Sequence, residues 1–169
     1  MLDNSHGKKA KITNILFVCL GNICRSSAAE EIMRHKLKSN DMDHIISVDS
    51  AGLINFHEGE LSDSRMRYHA KQRGYNMTHR SRPIQSSDFQ KFDMIIGMDG
   101  SNIKRLHQLA SNPIESNKIN IITDYNIKYD VESVPDPYYG YDKDFEYVLD
   151  LLEDACDGLI SKLQNTNLN

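Results

Sequence analysis

Apolar residues occur along this chain in two kinds of run. Ile15-Leu16-Phe17-Val18 is unbroken and stops just before a glycine-containing stretch, the pattern of a strand buried on both faces of a parallel sheet. Ile45-Ile46-Ser47-Val48 predicts a second strand ending near Ser50-Ala51-Gly52, Met94-Ile95-Ile96 a third, and Ile119 to Ile122 a fourth. Between these runs the apolar spacing changes to 3.6. After a break at Gly21-Asn22, Ala29, Ile32, Met33 and Leu37 repeat at helical spacing, and Ser27 with Glu30 three residues on reads as a capping box at the helix start. Residues 62–73 predict a second helix, with Gly74 where a C-terminal cap is expected, and residues 101–109 another. The clearest stripe runs through Phe145, Val148, Leu149, Leu152, Cys156, Leu159, Ile160 and Leu163.

Strands alternating with helices imply right-handed βαβ crossovers. The expected fold is therefore a single α/β domain, a four-stranded parallel sheet flanked by helices on both faces. No internal repeat, low-complexity run or linker divides it. The domain is expected to span residues 13–165, after a flexible polar tail at 1–12 in which the basic run Lys8-Lys9-Ala10-Lys11 is a solvated feature. Ligands of such sheets bind at the carboxyl ends of the strands, and Cys19 stands at that end of the first strand.

Composition narrows the class. A chain of 169 residues suits one core, and 39% apolar with 26% charged residues fits a soluble globular protein. The net charge of −4 argues against a dedicated nucleic-acid binder but leaves room for a local basic pocket. No stretch approaches the roughly 18 apolar residues of a membrane span, and Met1 to Lys11 has no apolar leader segment, so no membrane partner is expected. Three cysteines, Cys19, Cys24 and Cys156, do not make a disulfide framework. These features point to a reducing cytoplasm in which Cys19 stays a free thiol. Cys156, on the apolar stripe of the last helix, reads as core.

The chemistry concentrates in Val18-Cys19-Leu20-Gly21-Asn22-Ile23-Cys24-Arg25-Ser26. A loop of this length between a strand and a helix can turn its backbone N–H groups toward one centre and bind an anion at the helix N-terminus. Gly21 takes positive φ freely, and Asn22 tolerates it better than most residues. Arg25 offers a planar fork that matches two phosphate oxygens. The same positive field favours a thiolate at Cys19, under the phosphorus of a bound ester, with Ser26 placed to donate a hydrogen bond to it. A Walker loop is excluded by the missing Gly-Lys-Ser/Thr, and a zinc site by the absence of a second cysteine pair or a spaced histidine pair.

The nine-residue stretch resembles the phosphate loop of the low-molecular-weight protein tyrosine phosphatase family. Asp49-Ser50-Ala51-Gly52, Arg80-Ser81-Arg82-Pro83, Met98-Asp99 and Asp136-Pro137-Tyr138-Tyr139 fall in that family's order and approximate spacing, so the likeness covers about residues 13–165. It implies hydrolysis of phosphotyrosine and small aryl phosphates through a cysteinyl-phosphate intermediate, with Cys19 as nucleophile, Arg25 as phosphate clamp and Asp136 as general acid. Leu20, Gly21, Asn22, Ile23, Cys24, Arg25 and Ser26 would bind the phosphate. Asn22, Ser50 and His79 would hold the loop in shape, and Asp99 would be a supporting carboxylate. Phe56, Tyr138 and Tyr139 would line the rim, with Leu20 and Ile23 facing the mouth. The cationic loop takes over the electrostatic task of a metal, so no metal or cofactor is expected. The implied partners are phosphotyrosine-containing proteins, with inorganic phosphate or other oxyanions in the loop. One departure stands out: the family's proline after Arg-Ser is Ser27 here.

Away from the loop, local sequence leaves alternatives open. Pro135-Asp136-Pro137 read alone is a stiff turn, and Tyr138, Tyr139 and Tyr141 read alone are half-buried packing; beside a phosphate site they become an acid and an aromatic wall. Cys24, five residues from Cys19, is either a buried structural thiol or a partner for a reversible, protective disulfide. An arsenate reductase on the same scaffold needs relay cysteines, and residues 25–155 contain none. A catalytically silent phosphate-binding module is disfavoured by the joint presence of Cys19, Arg25 and Asp136.

Overall fold

The computed structural model describes residues 13–167, so the predicted polar tail at 1–12 lies outside the described residues. Four parallel strands, β1 (Thr13–Cys19), β2 (Ile46–Gly52), β3 (Met94–Gly97) and β4 (Ile119–Ile121), form one sheet in the order β2-β1-β3-β4. β1 is central, and its register sets Phe17 beside Ser50 and Cys19 beside Gly52 on one side, and Phe17 beside Ile96 on the other. The unbroken apolar run of β1 follows from this position. Ile15 and Phe17 point into a large core shared with α1 (Arg25–Ser39), α2 (Ser64–Gln72) and α6 (Asp142–Asn167). Leu16 and Val18 point the other way, into a smaller core with Phe89 of α3 (Asp88–Lys91), Phe92, Ile95 and Leu106 of α4 (Gly100–Leu109). All four β1 side chains are fully buried, each contributing roughly 1.5–3 kcal/mol of apolar transfer.

The α6 stripe packs as its spacing requires. Phe145, Val148, Leu149, Leu152, Cys156 and Leu159 are buried in the large core. A short helix α5 (Pro113–Ser116) and a 3₁₀ turn (Ile122–Tyr125) complete the chain's order. That turn takes Ile122 out of the predicted fourth strand, because its side chain is buried in the large core rather than in the sheet.

The predicted capping box is not formed. α1 begins at Arg25, two residues before Ser27, and no side chain caps it. Starting there lets the first turn of α1 close the preceding loop. Ser27 instead accepts a hydrogen bond from Ser62 (2.9 Å), and Glu30 turns inward toward β2. The second predicted helix is shorter than the pattern suggested: Asp63 caps α2, accepting from the Arg65 N–H, and Gly74 follows its end at φ +90°.

Candidate active site

Between β1 and α1 the chain makes a five-residue loop, Leu20 to Cys24. Its carbonyls are engaged by the surrounding scaffold. Those of Cys19 and Leu20 accept from the N–H groups of Leu53 and Ile54, that of Gly21 from Ser81 Oγ, that of Ile23 from the Asp63 N–H, and that of Cys24 from the Ala28 N–H. In a trans peptide the C=O and the following N–H point in opposite directions. Anchoring the carbonyls outward therefore turns the loop's amides toward its interior, where the N-terminus of the 15-residue α1 adds its own positive end.

Sequence assigned the loop's left-handed residue to either Gly21 or Asn22. It is Asn22, at φ 58°. The glycine serves another purpose, because a Cβ at Gly21 would come within 3.3 Å of the His57 ring. Asn22 is fully buried and its amide orientation is forced. The Arg82 N–H can only donate, so Oδ1 faces it (3.1 Å), and His79 Nε2 must also donate to Oδ1 (2.9 Å). Nδ2 then donates to Ser26 Oγ and Ser50 Oγ, both at 2.9 Å. Ser26 Oγ lies 3.1 Å from Cys19 Sγ, and with one lone pair taken by Asn22 its proton is free to point at the sulfur. A directed chain of donors thus runs from His79 through Asn22 and Ser26 to Cys19.

Glu30, which sequence assigned only to a cap, anchors this chain from below. It accepts from Ser50 Oγ (3.1 Å) and lies 3.2 Å from His79 Nδ1. Burial pushes its carboxyl up to about 7 despite the pull of Arg34, while burial holds His79 below the ordinary histidine range. With His79 Nε2–H committed to Asn22, Nδ1 is the ring nitrogen that faces the Glu30 carboxyl. Its signal in sequence was a single acidic residue on the apolar face of a helix.

Arg25 is almost completely buried, beside Cys19. It donates to Asp99 Oδ2 at 2.6 Å and to the Val134 carbonyl at 3.1 Å, and reaches Asp136 Oδ2 at 3.4 Å. Burial works against its charge, but Cys19, Asp99 and Asp136 together hold it more firmly protonated than an ordinary arginine. Asp99 is itself fixed by accepting the Asn102 N–H at the start of α4. Burial, with Asp63 and Cys19 beside it, pushes the Cys24 thiol far up, so Cys24 stays protonated. All three cysteines are free thiols.

These groups open into a cavity of about 240 Å³. Cys19, Arg25 and the loop lie in it together with Asp136, and its walls come from two segments. The loop after β2 supplies Ile54, Phe56 and His57; the stretch before α6 supplies Tyr138 and Tyr139. Leu20 is half exposed at the mouth, while Ile23 is buried in the wall. Phe56 and Tyr139 are 78% and 94% exposed, an apolar collar around a polar floor. Tyr141 does not join the wall; its N–H caps onto Asp144 where α6 begins. His57, overlooked among seven histidines, packs edge-on to Phe56 with Nδ1 held by Glu60 at 2.8 Å. Its only trace in sequence was adjacency to Phe56.

A family profile described as low molecular weight phosphotyrosine protein phosphatase matches residues 14–168. A putative low molecular weight protein-tyrosine-phosphatase of Synechocystis is 44% identical over 92% of this chain and 99% of its own length. The human low molecular weight phosphotyrosine protein phosphatase is 36% identical over 88% of this chain and 94% of its own. Among solved structures, a protein tyrosine phosphatase of Entamoeba histolytica with Hepes in its active site superposes with a TM-score of 0.89 at 44% identity, covering 91% of this chain and 98% of that one.

Proposed function

The chain belongs to the low molecular weight phosphotyrosine protein phosphatase family, and from that premise we propose that it hydrolyses phosphotyrosine in proteins, and small aryl phosphates, through a phosphorylated Cys19. The observation that carries the residue assignments is the meeting of Cys19, Arg25 and Asp136 in one cavity, over a loop whose amides face inward.

The phosphate of the substrate occupies the loop, its equatorial oxygens held by backbone N–H groups and by the Arg25 guanidinium. Cys19 attacks phosphorus in line; the S–P bond forms as the P–O bond to the aryl group breaks. Asp136 gives its proton to the departing phenolate, a transfer worth roughly 10²–10⁴-fold in rate. The same carboxylate then takes a proton from water, which attacks the phosphocysteine and releases inorganic phosphate and the thiolate. The preorganised cationic loop stabilises charge in both transition states, the largest electrostatic contribution to such catalysis. Asp99 and Val134 keep the guanidinium plane fixed, and the Asn22–Ser26 donors stabilise the leaving thiolate in the second step. Phe56, Tyr138 and Tyr139 form a wall suited to an aromatic ester. Three free thiols support a reducing, cytoplasmic setting; among the described residues no helix is long and apolar enough to cross a membrane.

The test is hydrolysis of p-nitrophenyl phosphate in excess EDTA. Wild type should show a burst of p-nitrophenolate as the phosphoenzyme accumulates, Cys19→Ser should be inactive, and Asp136→Ala should lose on the order of 10²–10³-fold in kcat/KM. Equal activity in all three, or strict metal dependence, would overturn the scheme.

A further inference from the structure

We propose that Arg65 is a positioning residue for the general acid: it suspends the Asp136 segment at the correct height over the phosphate loop. The proposal rests on the phosphatase reading above and extends it to a residue outside the cavity.

The Asp136 segment is held at two points, each two residues from the acid. Upstream, Val134 is tied through its N–H to the Met98 carbonyl and through its C=O to Arg25. Downstream, the Tyr138 carbonyl accepts from Arg65 Nη2 at 2.9 Å, while the Tyr138 N–H donates to Asp136 Oδ1 at 3.1 Å. Arg65 thus grips the same residue whose amide orients the acid's carboxylate.

The grip is rigid because Arg65 is itself clamped. Asp63 accepts from Arg65 through Nε (3.1 Å), Nη2 (2.9 Å) and the backbone N–H (2.9 Å), and the guanidinium lies 4.7 Å from the Phe145 ring and 5.6 Å from the Tyr138 ring. A planar fork is required for this, since a lysine cannot satisfy Asp63 twice and still reach a carbonyl. Asp63 in turn donates its N–H to the Ile23 carbonyl of the phosphate loop at 2.8 Å. The unit Asp63–Arg65 therefore links three parts that must keep a fixed separation: the phosphate loop, the start of α2 and the acid segment. Asp136 is 44% exposed, and beyond the Tyr138 N–H its carboxylate makes only a long contact to Arg25, so its position depends on how firmly Tyr138 is held.

The experiment compares kcat/KM, which reports the first phosphoryl transfer, for p-nitrophenyl phosphate and for phenyl phosphate, whose leaving group needs the proton far more. The variants are Arg65→Met, which keeps the apolar stem against Phe145, Arg65→Ala, Asp136→Ala, and Arg65→Met with Asp136→Ala. Thermal unfolding confirms that each is folded, and Arg65→Met stands alone should Arg65→Ala fail to fold. The expected result is a loss about tenfold larger for phenyl phosphate than for p-nitrophenyl phosphate in Arg65→Met, and no further loss when Asp136 is already absent. Equal losses on both esters, no loss at all, or losses that multiply in the double variant would overturn the proposal. A wild-type enzyme that hydrolyses neither ester would instead overturn the phosphatase reading, and the role of Arg65 with it.

Discussion

Asn22 carries two burdens at one position. It holds a left-handed backbone in the middle of the loop, and its amide bridges His79 and Arg82 on one side to Ser26 and Ser50 on the other. Two substitutions separate these. Asn22→Gly keeps the backbone freedom and loses the amide, while Asn22→Ala loses both, with a backbone penalty of about 1–2 kcal/mol. Leaving the buried groups around it unpaired costs a further ~1–3 kcal/mol. Urea unfolding should therefore rank wild type above Asn22→Gly above Asn22→Ala, and inorganic phosphate should bind both variants more weakly. At this scale sequence identified Asn22 and Ser26 through the loop motif. It could not say that Gly21 is needed for space rather than for a left-handed backbone, because the ring that crowds it, His57, arrives from 36 residues away in the chain.

Between elements, α1 meets β2 through Glu30. Burial raises its carboxyl from an ordinary 4.5 to about 7 in the fold; Asp49 of β2 adds to the rise, while Arg34 on its own helix and the hydrogen bond from Ser50 oppose it. Across that interval the folded state holds a proton that the unfolded chain has released. The stabilisation is complete below the unfolded value and is lost as pH rises through about 7. Relative to Glu30→Gln, wild type should therefore lose about 2–3 kcal/mol of unfolding free energy between pH 5 and pH 8. Constant stability difference across that range would show that Glu30 is ionised throughout. α6 offers a second case. Gly158 lies against the Tyr125 carbonyl so closely that a Cβ there would collide with the backbone of the 3₁₀ turn. Glycine to alanine normally favours a helix by up to about 1 kcal/mol. Here the collision should win, and Gly158→Ala should lower the Tm by about 4–10 °C. The α6 stripe was legible because a 26-residue helix repeats its apolar face many times. The capping box was misread because Ser-x-x-Glu is a local pattern, and here the two residues answer to Ser62 and to β2 instead.

For the molecule as a whole, the loop, the start of α1, the segment after β2 and the segment before α6 line one cavity, so filling it with the anion proposed for it should stabilise the entire fold. At 100 times its dissociation constant, inorganic phosphate should add about 2.7 kcal/mol and raise the Tm by about 5–11 °C. Arg25→Ala should remove most of that rise, since it deletes the buried cation on which Asp99, Val134 and Asp136 converge. An equal shift in both proteins would mean that phosphate acts on the surface rather than in the loop.

The alternation of apolar periods determined the α/β class, and the parallel strands follow from it, because each strand is followed by a helix that must cross back over the sheet. The loop motif determined the identity of the thiol, the guanidinium and the serine beside the thiol, since Cys19, Arg25 and Ser26 lie within an eight-residue span whose geometry is local. What only the tertiary structure decided is everything that meets at the loop from elsewhere. Asp99 and Asp136 come to Arg25 from 74 and 111 positions away, His79 comes to Asn22 from 57, and Arg65 comes to Tyr138 from 73. None of these pairs shares a helix face or a strand register, so no periodicity in the chain announces them. They are brought together by the burial of α1, α2 and α6 against one face of the sheet, and that packing exists only in three dimensions.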